Sequence, residues 1–526
     1  MRVTLLMGDS QNGKEGRADP GIGIWPHGLR CLDKLGILER LEAEGRYMGE
    51  AGYKDTEGRW LARPSPLREL RRDDRPDLSV LFVRESKLLQ ALRSRLGSNV
   101  QIIPEEASHV SWADVSAPGR DLGRRDPPMV GALGGPGVST DGHQRGRRRK
   151  RSGLVIDLEA IAGEAREARK SLEGTASDRF LTSPDLLVGA DGTQSLVRRF
   201  LLSTNAPRAE AKRRGYVVYR GVCSAGLEVT EHDRRRGTTA KNRGDVRMPT
   251  GGDAGGWGSD SFQTWGPGLR FASVPLARNE RMWFATAADG LPGSFDLGFT
   301  GDGYPGNGLP GNEHPGEHVR VPVKPILLEL FGDWHAPIKS LLEATAEEDI
   351  IRDDARAMNL HSLRLAASVS SRVRDAVSGT LPQEVSAEGY MGTVLVGDAA
   401  HTLDPVLAQG AGLALEDAFW LAHHVRECDN SLKEALGRFE EERLQRVLLL
   451  SRLSDFSQLL GQLRPLPLTR LRNLLFRTAP DGIKTRFFDG FTSAALANGT
   501  SGALRAGFSA VALQQQEMRG YSIPDL

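Results

Sequence analysis

Two short stretches of this 526-residue chain combine residue types that can do chemistry. The first is Asp185-Leu186-Leu187-Val188-Gly189-Ala190-Asp191-Gly192-Thr193-Gln194-Ser195-Leu196-Val197-Arg198, a strand-like apolar triplet that runs into a glycine-flanked aspartate and then a helix start. Glycines at such a turn let backbone amides approach a ligand, and Asp191 can accept from hydroxyls or cap the helix. An ordinary strand–turn–helix joint has the same composition, so this stretch alone leaves both readings open. The second begins with Thr393-Val394-Leu395-Val396, again a strand, and ends it in Gly397-Asp398. A loop containing Pro405 follows, and Gln409-Gly410-Ala411-Gly412 opens a helix expected over about 410–427. Free amides and the positive dipole end at such a helix start suit a ligand that carries or develops negative charge. Asp398 ends a strand at its carboxyl side, where doubly wound sheets bind their ligands. His401 stands alone, without HExxH or paired His/Asp spacing, so it reads as a structural or turn residue and no metal site is expected.

The elements around these stretches are those of a soluble α/β protein. Lys+Arg exceed Asp+Glu by 69 − 68 = +1, so no global field draws in nucleic acid or an anionic membrane. No apolar run reaches the eighteen or so residues of a membrane span. Three separated cysteines make neither a disulfide framework nor a cysteine-rich zinc site. Val3–Leu6 reads as a strand, Gly28 to Gly45 as one helix with leucines at three-residue spacing, and Leu88 to Leu96 as a second. Tyr216 to Cys223, Leu269 to Leu276 and Arg281 to Thr286 have strand composition, and helix is expected from about Pro325 to Ala344 and again beyond residue 396. Glycine is in surplus, at 61 of 526 residues. Much of it lies in three irregular stretches, 117–153 (ending in a basic run read as a solvated insertion), 250–258 and 290–316.

Segments 185–198 and 393–418 resemble the two downstream FAD motifs of single-component FAD-dependent monooxygenases of the p-hydroxybenzoate hydroxylase class, in the salicylate and urate hydroxylase and zeaxanthin epoxidase branch. Gly21-Ile22-Gly23-Ile24-Trp25-Pro26-His27-Gly28-Leu29, Val83-Arg84-Glu85-Ser86-Lys87-Leu88 and Thr264-Trp265-Gly266-Pro267-Gly268 extend the likeness, which covers about residues 1–450. The resemblance implies a Rossmann-like FAD-binding domain (1–52, 81–204 and 346–430), an inserted mixed β-sheet substrate domain (53–80 and 205–345) and a helical C-terminal region (431–526). It implies FAD as cofactor and NAD(P)H as co-substrate. A small aromatic or unsaturated substrate would be hydroxylated or epoxidised with O₂ through a flavin hydroperoxide. The implied cofactor contacts are Arg84, Asp191, Gly397, Asp398, Pro405, Gln409, Gly410, Ala411 and Gly412, with Asp398 on the ribityl chain and 410–412 presenting amides to the flavin pyrimidine edge. No acid/base side chain is assigned. Tyr219 and Arg220 are candidates for facing the substrate, or are ordinary sheet residues.

One departure limits the likeness. Members of the class begin with a strand and a GxGxxG loop that holds the FAD pyrophosphate. No GxGxxG lies near the start here; Val3–Leu6 matches the second strand of the class, and Met7 stands where that strand usually ends in an acid. Either the true start lies about thirty residues upstream, the length of a strand–loop–helix unit, or the chain is a degenerate member acting as a non-catalytic scaffold. A related flavin reductase is a third reading. The chain as written is expected to bind FAD weakly and to have a poorly supported sheet. Residues 477–526 leave packing on the core, a homodimer contact or a membrane surface open, and the compartment is not assigned.

Overall fold

The computed structural model describes residues 2–6, 18–48, 51–62, 80–103, 106–114, 152–159, 179–182, 185–201, 210–224, 261–276, 280–292, 308–310, 318–320, 322–358, 360, 392–428, 431–480 and 483–484. The irregular stretch 250–258, nearly all of 117–153, most of 290–316 and residues 485–526 lie outside them.

In the N-terminal third, strands β1 (Val3–Leu6), β2 (Gly21–Ile24), β3 (Arg46–Tyr47), β4 (Ala51–Lys54), β5 (Trp60–Ala62), β6 (Leu81–Arg84) and β7 (Val100–Ile103) alternate with helices α1 (Pro26–Lys34), α2 (Leu38–Glu44) and α3 (Glu85–Arg93). Strands β8 (Glu106–Asp114), β9 (Ser152–Glu159) and β10 (Arg179–Thr182) form an antiparallel sheet, and β11 (Leu186–Gly189) leads into α4 (Leu196–Leu201). The middle holds β12 (Lys212–Ser224), β13 (Ser261–Trp265), β14 (Leu269–Pro275), β15 (Glu280–Ala288), the short pair β16 (Gly308–Pro310) and β17 (His318–Arg320), and helices α5 (Lys324–Phe331) and α6 (Ile338–Ala344). Then come β18 (Ile351–Ala357), β19 (Gly392–Leu395), a single turn α7 (Asp398–His401), and helices α8 (Gly410–Glu427), α9 (Leu432–Gly461) and α10 (Leu466–Thr478).

The helix expected from Gly28 to Gly45 is two helices. Gly36 adopts φ +67°, and its N–H donates to the Asp33 carbonyl, which closes α1 before α2 begins. The leucine spacing is right for both halves, and Leu29, Leu32 and Leu41 are fully or almost fully buried against Leu81 and Val83 of β6. Proline divides the C-terminal helices: Pro465 and Pro467 fall at the start of α10, where a missing N–H costs little.

The largest sheet has the order β18-β12-β15-β14-β13-β4-β5. Its strands alternate apolar side chains. Tyr219, Phe271, Trp283 and Ala285 pack with Leu327, Phe331, Leu341 and Leu342 of α5 and α6 on one face, leaving residues such as Tyr216, Arg220, Arg270 and Thr286 on the other. Tyr219 therefore lies in the core, and Arg220 pairs with Asp353 at 2.6 Å; consecutive strand residues cannot both face one ligand.

Besides the parallel pairing of β4 with β13 in the largest sheet, parallel strands form two separate pairs among the described residues. β1 pairs with β7, and β11 pairs with β19. Buried parallel strands are apolar throughout, yet Val188 at the centre of β11 is 40% exposed. Among the described residues no helix is long and apolar enough to cross a membrane.

Candidate functional site

The pairing of β11 with β19 joins the two chemically promising stretches. Leu186 lies opposite Gly392 and Gly189 opposite Leu395, so the turns that follow both strands emerge side by side at their carboxyl ends. Arg198 ties them together: its Nη1 donates to the Ala399 carbonyl at 2.7 Å and the Asp398 carbonyl at 3.3 Å, and its Nη2 to the Thr193 carbonyl.

Within the first turn Asp191 serves its own helix. Its carboxylate accepts from Ser195 Oγ at 2.5 Å and from the backbone N–H groups of Leu196 and Val197 at 2.6 and 3.1 Å, covering open donors at the start of α4. Gly192, at φ +74°, has nothing within 4 Å of where a Cβ would be, so its backbone stays open to approach. Gly189 has a packing role instead, since a Cβ there would meet Leu395 and Val197 at 2.7 Å.

The second turn is built differently. Gly397 adopts φ +58° and ψ −143°, a conformation favouring glycine, and its N–H donates to Asp417 Oδ2 at 2.8 Å. Asp398 is exposed, yet the desolvation imposed by surrounding protein pushes its carboxyl above the ordinary value against the lowering effect of His401, Thr193 and Arg198. A carboxylate at the lip of a crevice has this combination. Asp398 Oδ1 lies 3.6 Å from the Cβ position of Gly410, the first residue of α8, and no other atom comes within 4 Å of that position. The α8 N-terminus carries no side-chain cap. Gln409 there is buried at 4% exposure with both Oε1 and Nε2 lacking a hydrogen-bond partner. Burying an amide without partners costs about 1–3 kcal/mol. A flavin's pyrimidine edge, with its N–H flanked by carbonyls, would satisfy such an amide, so this donor set fits the flavin end of FAD. Pro405 sits in a turn capped by Asp404, whose carboxylate accepts from Val406 N at 3.0 Å, from Arg214 Nε at 3.0 Å and from the Tyr216 hydroxyl. The loop is thus fastened to the open face of the large sheet. Burial, reinforced by Asp404, raises the Tyr216 phenol well above its ordinary value.

Arg84 lies at the end of β6 and is engaged elsewhere. Nε and Nη2 donate to the Glu280 carboxylate at 3.2 and 2.9 Å, and Nη1 to the Asp19 carbonyl.

Behind the α8 start lies a buried ionic network that residue spacing did not single out. Asp417 accepts from Arg443 Nε at 2.7 Å and pairs with His401 Nε2 at 2.6 Å; Glu416 accepts from Arg443 Nη2 at 2.9 Å and from Arg446 at 3.0 and 3.1 Å. Desolvation alone would raise the Glu416 carboxyl, but Arg446 and Arg443 outweigh it and hold it well below the carboxylate range. The available signal was a Glu-Asp pair interrupting an apolar helical run, matched by arginines three residues apart in α9. Close packing completes the support: Gly412 of α8 faces the buried His27 of α1, and a Cβ there would lie 2.2 Å from His27 Nε2. Gly412→Ala should therefore lower stability by about 1–3 kcal/mol through overpacking and weaken ligand binding at the α8 start; equal urea midpoints for the two proteins would contradict this packing.

Buried histidines set a pH dependence. Desolvation lowers His27 and His335 to about 4. Between about pH 6.5 and about pH 4 the unfolded chain takes up protons at these sites that the folded chain does not, so stability falls as pH falls through that window. For His401 burial acts downward, but Asp417 outweighs it and the imidazole is raised; its contribution is complete below about 6.5 and is lost as pH rises through the folded value. Urea midpoints should be lower at about pH 5 than at about pH 6.5, and a flat acid limb would exclude the neutral burial of His27 and His335.

No family model matches the chain. It is 32% identical over 263 residues to aurachin C monooxygenase/isomerase of Stigmatella aurantiaca, covering 50% of this chain and 48% of that protein. It is 25% identical over 299 residues to 3-amino-4-hydroxybenzoate 2-monooxygenase of Streptomyces cremeus, covering 56% and 54%. The chain thus aligns with about half the length of these curated relatives. In structure it superposes on HpxO of Klebsiella pneumoniae, solved with FAD and uric acid, at a TM-score of 0.57 and 16% identity, covering 95% of this chain and 97% of that one. The chain is a sequence relative of monooxygenases and shares the fold of an FAD-complexed protein, as its motifs implied.

Proposed function

We propose that the chain binds FAD at the joint between the β11 and β19 turns and acts as an FAD-dependent monooxygenase on a small aromatic or unsaturated organic compound. The observation that carries this reading is the uncapped start of α8, with the unpartnered Gln409 amide and Asp398 beside it, on a fold shared with an FAD complex. FAD, when bound, supplies the redox chemistry. NAD(P)H gives two electrons, one atom of O₂ enters the substrate, and the other leaves as water.

The chain's own residues bind and orient. Asp398 accepts from cofactor hydroxyls, Gln409 reads the polar edge of the ring, and the open amides of Gly410, Ala411 and Gly412 with the α8 dipole stabilise negative charge placed there on reduction. Gly397 and the ionic network fix the loop, whose Pro405 would help hold the ring, and Asp191 acts by shaping the first turn. Arg84 reaches cofactor only by exchanging its bond to Glu280. Residues 1–52, 81–204 and 346–430 would supply the cofactor half, except that β4 and β18 (Ile351–Ala357) join the sheet of the substrate half; 53–80 and 205–345 would supply the rest of the substrate half, with 431–526 the C-terminal region.

Supplying FAD and NAD(P)H to the full chain with candidate aromatic substrates, beginning with 3-amino-4-hydroxybenzoate, tests the reading. Substrate-dependent NAD(P)H oxidation with one O₂ consumed per oxygenated product is expected for a compound that is turned over. NAD(P)H oxidation without oxygen insertion across the panel identifies a reductase, and a flavin spectrum that stays that of free FAD, with no NAD(P)H oxidation, identifies a scaffold.

A further inference from the structure

The apolar side chains that face solvent are not spread evenly over the described residues. Of eleven large hydrophobics that are exposed, seven lie between Leu459 and Ile483, at the end of α9, along α10 and just beyond it. In α10 Leu466, Leu468, Leu471, Leu474 and Leu475 are each 48 to 59% exposed. Single exposed leucines need no explanation, but a contiguous patch of them marks a surface that meets something. Helix geometry makes this patch contiguous. At about 3.6 residues per turn, Leu468, Leu471, Leu474 and Leu475 share one side of α10. Thr469 and Arg472 are buried on the opposite side, where the Phe476 ring lies 5.6 Å from that of Trp265. The end of α9 abuts this helix, since Arg472 Nη1 donates to the Leu460 carbonyl at 2.8 Å.

Charge indicates what covers the leucines. Over the whole chain the balance is only +1, yet residues 456–480 hold four arginines (Arg464, Arg470, Arg472 and Arg477) and no Asp or Glu. All but Arg472 are exposed, and Arg470 and Arg477 line one border of the leucine face. Arg477 has only a share of Asp55, which also pairs with Arg59, and Arg464 donates to a neutral oxygen, the Asp289 carbonyl. The acid that precedes the stretch, Asp455, is paired with Arg214 at 2.5 Å. A second copy docking about a two-fold axis would meet the patch with the same patch, which holds no carboxylate for the arginines. Residues 485–526 contain three Arg and three Asp or Glu, so they bring no excess of negative charge either. An anionic bilayer supplies what both lack, an acyl boundary for the leucines and phosphates for the arginines. With 13 residues, α10 is about 20 Å long, too short to cross a bilayer and long enough to lie along one.

We propose that α10, with the adjoining end of α9, is a docking surface for an anionic phospholipid bilayer. The helix lies flat on it, with Leu471, Leu474 and Leu475 in the acyl boundary and Arg464, Arg470 and Arg477 at the headgroups. Only the outward side of α10 meets lipid; its inward side stays on the protein. This surface goes beyond the flavin reading and does not depend on it.

Flotation of the purified full chain with vesicles of phosphatidylcholine and phosphatidylglycerol in equal parts tests the proposal, with pure phosphatidylcholine vesicles as the neutral counterpart. The chain should float with the anionic vesicles, less with the neutral ones, and less again as salt is raised. Leu471→Gln, Leu474→Gln and Leu475→Gln together should lower the partition coefficient at least about hundredfold, since three leucines leave the acyl boundary. These side chains are exposed in the free chain, so the thermal midpoint without vesicles should stay the same. Arg470→Gln should weaken binding to the anionic vesicles about fivefold, the equivalent of about 1 kcal/mol per basic residue, and leave binding to the neutral ones unaltered. Absence of flotation, equal flotation with both kinds of vesicle, or unaltered flotation of the triple variant would overturn the proposal. A dimer that the triple variant dissociates, without flotation, would give the face to a second copy. A lowered midpoint in the triple variant, without flotation of the wild type, would give it to residues 485–526. These readouts need no cofactor, so they stand or fall apart from flavin binding.

Discussion

Asp398→Ala should weaken FAD binding about 10- to 150-fold, the equivalent of a charge-assisted hydrogen bond worth about 1.5–3 kcal/mol. Asp398 is the open carboxylate at the joint of the two turns; Asp191 spends its oxygens on Ser195, Leu196 and Val197. The effect should be confined to binding. Asp398 carries no buried ion pair and its carboxyl is already raised by desolvation, so its removal should leave the urea midpoint unchanged or slightly higher. Asp398→Asn keeps an acceptor and should fall between wild type and alanine. An alanine variant that holds FAD as the wild type does would remove Asp398 from the site.

Arg443→Met should cost about 3–5 kcal/mol of stability, the usual consequence of breaking a buried pair from one side. Arg443 donates to both Asp417 and Glu416, and both acids are buried. Methionine removes Arg443 from both acids, while Glu416 keeps its bonds to Arg446 and Asp417 those to His401 and the Gly397 N–H. Since the Gly397 turn hangs on Asp417, flavin affinity should fall along with stability. Adding Glu416→Gln should recover part of the loss by removing one stranded charge. A urea midpoint unmoved by Arg443→Met would mean that the network does not support the α8 start.

The contrast between these two residues shows what was legible in the sequence. Asp398 and the α8 start were readable because local pattern carries them: an apolar strand ending in Gly-Asp, then glycines opening a helix whose range, Gly410–Glu427, agrees with expectation. Roles set by distant residues were not. Arg443 acts on Asp417 across 26 positions, and Tyr216 on Asp404 across 188. Tyr219 and Arg220 drew attention for their type, yet strand alternation sends one into the core and leaves the other to Asp353.

The glycines divide in the same way. Gly189 and Gly412 are demanded by neighbours that arrive from elsewhere in the chain, Leu395 and His27, whereas Gly192 and Gly410 leave open backbone that a ligand can approach. Composition cannot separate these kinds; the packing does. The split of the expected first helix at Gly36 is a further case, in which one left-handed residue outweighed an unbroken leucine rhythm.

Equilibrium titration of the full chain with FAD, followed by the flavin absorbance spectrum, tests the central claim most directly. Binding at the joint of the β11 and β19 turns predicts a saturable change at one flavin per chain, weaker by at least tenfold in Asp398→Ala. A flavin spectrum that stays that of the free cofactor at every concentration of wild-type chain would contradict it.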